Sequence, residues 1–377
     1  MEGMAGTQAR LTWVVNICVI ALVVLWTIPT FGLLISSIRD KDQLAVSGWW
    51  TSLATSERNI IVRSAPPDSQ VQDGALWVLQ GNVFEDGGEV VAFGFSSREP
   101  AAFEPGTAAE MKNGQTLTVD GDGTYRFASP EQWKGSRGKR IFVTSLEPPK
   151  FTTANYNEVL FAEGLGRSFL NTMTVTIPAT IIPILIAAFA AYALAWMEFP
   201  GRALLIAAIV GLLVVPLQMA LIPLLKFHNF LGIGKTYLGI WLAHTGFGLP
   251  LAIYLLRNYI AGLPREIIES AKVDGATDFQ IFRKIVLPLS FPALASFAIF
   301  QFLWVWNDLL VAWVFLGNNE QQLVMTGRLR ELLGSRGGNW EILTASAFVS
   351  IAVPLAVFFL LQRYLVRGLL AGSVKGG

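Results

Sequence analysis

Few residues in this chain have both the types and the spacing that chemistry requires. Gly234-Lys235-Thr236 ends like a phosphate loop. Such a loop also needs a Gly five positions before Gly234, so that backbone N–H groups can cradle the anion, and Asn229 stands there. His228 and His244 have no carboxylate or cysteine at metal-ligand spacing. Asp120-Gly-Asp-Gly123 lacks the twelve-residue calcium loop with its closing Glu, and reads as a hairpin turn. No Ser–His–acid grouping is visible. The one cysteine, Cys18, lies in an apolar run and reads as a small hydrophobe. No metal is expected, and the chain is not expected to be an enzyme by itself.

Polar residues inside apolar runs are the better leads. An ionisable group at a membrane centre costs about 2.5–3.5 kcal/mol on insertion scales, so it faces a cavity or a partner. Asn307 and Asp308 interrupt the apolar sequence just after Phe302-Leu-Trp-Val-Trp306. They suit either a polar patch in a translocation path or a hydrogen bond that holds helices together. His244, Gln218, Gln301 and the face Thr172, Thr174, Thr176 are weaker cases of the same kind, and packing or helix–helix hydrogen bonding is the leading reading for each, ahead of substrate contact. Phe300, Phe302, Trp304 and Trp306 have the chemistry to stack on sugar rings, but lipid-facing or core positions are the leading reading.

The elements that carry these residues are membrane spans. The 377 residues are 53% hydrophobic and 15% charged, with a mean hydropathy of +0.50. Runs of about twenty apolar residues are long enough to cross a bilayer. Six are expected: Leu11–Ile35, Phe169–Trp196, Ala203–Leu225, Tyr237–Leu256, Leu289–Leu316 and Ile342–Leu361. The first is too long for a signal peptide and lacks a cleavage site after it. With the N-terminus inside, short inside segments hold ten Lys and Arg and short outside loops hold five, which favours cytoplasmic termini. The formal net charge of +1 suggests no nucleic-acid partner.

Residues 36–167 differ in kind. They hold 13 Lys and Arg against 17 Asp and Glu, a local charge of −4. Short β-rich runs at 75–83, 90–95, 116–127 and 140–145 are separated by turn residues. The expected organisation is a first helix within 1–38, a small β-rich extracytoplasmic insertion at 39–160, and a helical core at 161–377.

One polar stretch lies between spans, at 257–288. Pro264 suits a first helical turn, and Glu266 sits near the positive end of that helix. Ile267, Ile268 and Ala271 form its expected apolar face. Asp274-Gly275 closes the helix, and Thr277 with Gln280 opens another through a capping box. Pro288 and Pro292 bend or break the start of the fifth apolar run.

Glu269-Ser270-Ala271, then Gly275 after three residues, then Ile285-x-Leu287-Pro288 after nine more, resembles the Glu-Ala-Ala loop of permease subunits of ATP-binding-cassette importers. Asp274 and Ala276 beside the Gly are also usual there, and Ser270 is the departure. Phe199-Pro-Gly-Arg202 resembles a turn of these permeases. The tail 366–377, with Gly372, Val374 and Lys375, is similar to that of the maltose-type permease. The long insertion resembles the alpha-glucoside branch of this group.

That resemblance implies an all-α polytopic membrane protein: six transmembrane helices of the type I importer permease fold, plus the β-rich insertion. It implies a bacterial inner-membrane location. The implied partners are membrane lipid, a second permease subunit, an ATPase homodimer carrying ATP and magnesium, and a periplasmic sugar-binding protein. Glu269 would dock on the ATPase, and the tail residues would contact it. Two other readings remain: an ion-coupled secondary transporter using Asp308, which calls for inverted repeats that are not seen, and a membrane-anchored sensor or scaffold with an outer β domain.

Overall fold

The computed structural model describes residues 3–84, 88–111, 113–335 and 337–370, with side chains described between Leu11 and Tyr364. The chain divides into two units, Met1–Thr152 and Thr153–Gly377.

The first unit begins with helix α1 (Gly3–Ser37), apolar on all sides over Leu11–Ser37. Helix α2 (Lys41–Val46) and a single 3-10 turn, Trp49–Thr51, lead into the strands. The strands are β1 (Ser56–Arg63), β2 (Val71–Asp73), β3 (Leu76–Asn82), β4 (Glu89–Gly94), β5 (Ala109–Glu110), β6 (Thr116–Val119), β7 (Thr124–Ser129) and β8 (Arg140–Glu147). They form two antiparallel sheets, ordered β1-β8-β4 and β2-β3-β7-β6-β5. Leu79, Phe93, Leu117, Phe127, Trp133, Ile141 and Val143 make a shared buried core. The run 116–127 is two strands, not one. Its centre is the expected hairpin turn, with Gly123 at φ +84° and the Gly123 N–H donating to the Asp120 carbonyl. The Asp122 carboxylate accepts from the Thr124 N–H at 2.9 Å, which holds its pKa below the ordinary value.

The second unit is helical. A short helix α3 (Ala154–Asn157) and a π turn precede α4 (Leu165–Trp196). Next come α5 (Arg202–Leu212), α6 (Leu217–Phe230) and α7 (Tyr237–Ala261). After these come α8 (Arg265–Val273), α9 (Asp278–Ile281), α10 (Leu287–Leu289) and α11 (Phe291–Trp306). The last are α12 (Leu310–Leu316), α13 (Met325–Ser335) and α14 (Trp340–Leu370). Buried Ala187, Ala188 and Ala191 on α4 and Ala252 on α7 share one core cluster, and small side chains of this kind let helices approach closely.

Of the six expected runs, four form one long helix each and two are bent. Among the described residues, four helices are long and apolar enough to cross a membrane unbroken: α1, α4, α7 and α14. The expected run Ala203–Leu225 is split by Leu213–Pro216 into α5 and α6, which meet at 106°. Pro216 removes a backbone donor where the helix would continue. The expected run Leu289–Leu316 is broken twice. A 70° bend falls at Ser290, before Pro292, and α11 stops at Asn307. The β-rich insertion expected after the first helix is present, with eight strands among the described residues.

Gly234-Lys235-Thr236 proves to be a helix start. The Thr236 hydroxyl caps α7 by accepting from the Gly239 N–H at 3.1 Å, and Gly234 leaves room for the Asn229 side chain.

Candidate functional site: an exposed two-helix element and a buried polar pair

The stretch 263–289 is built from its turn outwards. Gly275 has φ +77°. Its N–H donates to the Lys272 carbonyl, and the Ala276 N–H donates to the Ala271 carbonyl, both at 3.0 Å. This is a Schellman ending, in which two otherwise orphaned carbonyls of α8 are satisfied. Thr277 then opens α9 with a reciprocal capping box. Its hydroxyl accepts from the Gln280 N–H, and the Gln280 side chain accepts from the Thr277 N–H. Residues Asp278–Leu289 continue as one helical piece through a π turn, Phe282–Val286, placed just before Pro288, which supplies no N–H.

One side of this element is buried. Ile268, Ile281, Phe282 and Val286 lie in the core cluster with Tyr192, Leu194, Leu256 and Ile260, and Ala271, Ala276, Ile285 and Leu287 pack against it. The other side is exposed. It carries Glu269, Ser270, Asp274, Gly275 and Pro288. Ile267 is on this side too, contrary to the apolar face expected for it, with Ile268 and Ala271 turning inward instead. Val273 is 87% exposed and Phe279 59%. Ile267, Val273 and Phe279 are thus exposed apolar side chains on one short element.

Three contacts fix the element to the bundle. The Tyr192 hydroxyl on α4 donates to Asp278 Oδ1 at 3.1 Å. Phe282 packs on Phe189 and Tyr192, with ring centroids 4.6 and 5.5 Å apart. The Tyr259 hydroxyl on α7 donates to the Leu289 carbonyl at 3.2 Å. Sequence reasoning did not pick out Tyr192, Asp278, Phe279 or Phe282. Only the aromatic character of Phe279, in an otherwise polar first turn, was available as a signal.

The second group lies where α11 ends. Asn307 caps α11, its side-chain amide donating to the Leu303 carbonyl at 2.8 Å. The Asp308 carboxylate faces the first N–H groups of α12 and accepts from Ala312 at 3.0 Å. The Asp308 carbonyl accepts from the Thr326 hydroxyl at 2.9 Å. His244 Nε2 lies 3.8 Å from Asp308 Oδ2, beyond hydrogen-bond length, and the imidazole is fully buried with its edge against Trp304. Asp308 and His244 are therefore brought together. Gln218 is exposed in the first turn of α6 and is not part of this pair. Gln301 donates to the Ala179 carbonyl at 3.0 Å, the helix–helix role expected of it. Of the aromatic residues, Trp306 is buried and stacks on Phe302, Trp304 meets His244, and Phe300 is exposed. The tail residues Gly372, Val374 and Lys375 lie outside the described residues.

These features define a polytopic membrane subunit with an anchored, exposed contact element. Residues 168–370 match the family described as binding-protein-dependent transport system inner membrane component. The chain belongs to that family and is a multi-pass inner-membrane protein. It is 69% identical over 375 residues to the alpha-glucoside transport system permease protein AglG of Rhizobium meliloti (strain 1021), covering 98% of this chain and 99% of that one. It is 60% identical over 235 residues to the osmoprotective compounds uptake permease protein GgtD of Synechocystis sp., covering 62% of this chain and 79% of that one. A solved bacterial ABC transporter involved in import of the acidic polysaccharide alginate aligns over 58% of this chain and 81% of its own, at 25% identity and a TM-score of 0.49.

Proposed function

We propose that the chain is the transmembrane permease subunit of an ATP-driven importer of alpha-glucosides or related oligosaccharides. It forms half of the translocation path, in the type I arrangement of six crossings, two of them bent, with cytoplasmic termini. The likeness to AglG over nearly the whole chain, β-rich unit included, carries the sugar class. ATP and magnesium belong to a separate ATPase homodimer. A second permease subunit completes the path, and a periplasmic sugar-binding protein delivers the substrate.

Coupling falls to the α8–α9 element. Glu269, Ser270 and the apolar side chains Ile267, Val273 and Phe279 form the surface offered to the ATPase. Ala271, Ala276, Ile285 and Leu287 join that surface to the bundle core. Asp274 and Gly275 make the turn. Movement of the ATPase subunits is transmitted as a rigid-body displacement, because the element is pinned at Asp278, Phe282 and Leu289. The tail with Gly372, Val374 and Lys375 provides a further contact with the ATPase. Asn307, Asp308, His244 and Gln218 are the proposed polar positions along the path.

Charge reversal tests the docking role. Glu269→Arg is expected to abolish uptake and co-purification of the ATPase while membrane insertion stays normal. Normal uptake by that variant would refute the assignment.

A further inference from the structure

The first unit contains an apolar surface that neither its core nor its strands use. Between α1 and β1 the chain folds back on itself. The Arg39 guanidinium, 2% exposed, donates to the carbonyls of Gln43, Ser47 and Gly48 and to the Ser47 hydroxyl, at 2.7–3.3 Å. These bonds satisfy carbonyls at the end of α2 and turn the chain back toward α1. Trp49 then lies against α1. Its ring meets Phe31 edge-on with centroids 6.1 Å apart, and its indole covers Gly32, where a Cβ would come within 2.7 Å of Nε1.

Depth is set by helix geometry. Gly32 is five residues before the end of α1 at Ser37, which is about 7–8 Å at 1.5 Å per residue. The apolar span Leu11–Ser37 is 27 residues long. That is about 40 Å, enough for the hydrocarbon core and both interfacial layers. Trp49 therefore sits near the boundary between headgroups and acyl chains. Its neighbours point away from α1: Val46, Trp50 and Leu53 are 59%, 74% and 82% exposed.

We propose that Val46–Leu53 is a membrane-interface foot, with Trp50 and Leu53 seated among lipid headgroups and upper acyl chains of the leaflet on the β-rich side. Trp prefers this layer because an apolar ring and a polar N–H are both accommodated there. The occupant is lipid because the patch continues the lipid-spanning surface of α1 at the same depth. The foot also fixes the β-rich domain. The Gln43 side chain donates to the Pro148 carbonyl at 2.7 Å and accepts from the Lys150 N–H at 2.9 Å, just beyond β8. The Thr152 N–H donates to the Ile38 carbonyl at 2.6 Å. Helix, foot and the exit of the β-rich domain are thus tied at one junction, so the domain is held close to the bilayer rather than swinging on a linker.

Spin labelling tests this in the assembled importer, reconstituted in phosphatidylethanolamine–phosphatidylglycerol vesicles. Trp50→Cys, Leu53→Cys and the control Gly121→Cys, each in a Cys18→Ser background, would be labelled and exposed to oxygen and to a neutral nickel chelate. Position 121 is an exposed hairpin tip. The expected result is a several-fold lower nickel collision rate at 50 and 53 than at 121, with oxygen collisions undiminished. Nickel accessibility equal to that at 121 would overturn the proposal, because the foot would then be in water. Exclusion of both reagents would overturn it too, because a protein partner would then cover the patch. Retained uptake by each variant shows that the labelled chain is folded.

Discussion

Helices of the second unit are interrupted in two contrasting ways, at Asp274–Ala276 and at Asn307–Leu309. The first break is exposed; backbone conformation closes α8, and the local Thr277–Gln280 capping box starts α9. Gly275 takes the left-handed region, and the carbonyls of Ala271 and Lys272 find the next two N–H groups. At the second break Asn307 is exposed, but the Asp308 side chain is only 10% exposed, beside buried His244 and the Thr326 hydroxyl. Here side chains do what solvent does elsewhere. Asn307 takes up a carbonyl of α11, and Asp308 accepts from the start of α12. An exposed break can rest on one flexible residue and a local cap, with water completing the other hydrogen bonds. Inside a bilayer a break needs a built polar cap, since each unsatisfied group there is costly.

The larger consequence is expected at the buried break. Asp308→Ala removes the acceptor that faces the N–H groups of Leu310, Val311 and Ala312. Leaving such donors unsatisfied costs about 1–3 kcal/mol each. Thermal unfolding of the purified complex should shift down markedly. Asp308→Asn keeps an acceptor oxygen and loses the charge, so it should retain most of the stability. If Asp308→Asn melts normally but transport stops, the carboxylate has a role in the path beyond capping. If both variants melt normally, the contrast between the two breaks fails.

At the exposed break the cost is smaller and purely conformational. No atom lies within 4 Å of where a Cβ at Gly275 would be, so only the positive φ resists substitution. Gly275→Val should cost about 1–2 kcal/mol, the penalty of a left-handed residue. Gly275→Asn should be nearly silent, because Asn visits that region readily. Equal damage from Val and Asn in a melting assay would show that this surface is covered and that side-chain volume matters.

The two breaks were not equally legible in the sequence. At Gly275 the signals are local: Asp-Gly, then Thr with Gln three residues on, and both caps form as read. At Asp308 the anomaly of a charge in an apolar run was plain. Its partners were not, because His244 comes from a different helix and Thr326 lies beyond α12. Hydropathy also hid the bend at Leu213–Pro216, since an apolar bent pair scores like an apolar straight helix. Strand β1 escaped for a related reason. Ile60, Ile61 and Val62 are apolar without a break, so no alternation marks them in the sequence, yet Ile61 faces outward and burial alternates along the strand. Local chemistry is written in neighbouring residues, and pairings made by tertiary packing are not.

The smallest expected effect lies at a pairing of that second kind, and it separates docking from transmission. Tyr192→Phe keeps the ring contact with Phe282 and removes only the hydrogen bond to Asp278. One such bond is worth about 1 kcal/mol net, so stability should change little. The Lys272–Asp278 pair at 4.0 Å is half exposed and contributes little to hold the element in its place. In the proposed docking the ATPase meets the opposite side of the element, so co-purification should be intact. What should fall is the sugar transported per ATP hydrolysed, because α9 is then less firmly pinned to α4. Glu269→Arg predicts the reverse order, with loss of the ATPase itself. A Tyr192→Phe variant that loses the ATPase would place Tyr192 in the folding of the docking surface. One with unchanged coupling would leave Phe282 packing as the link that carries the motion.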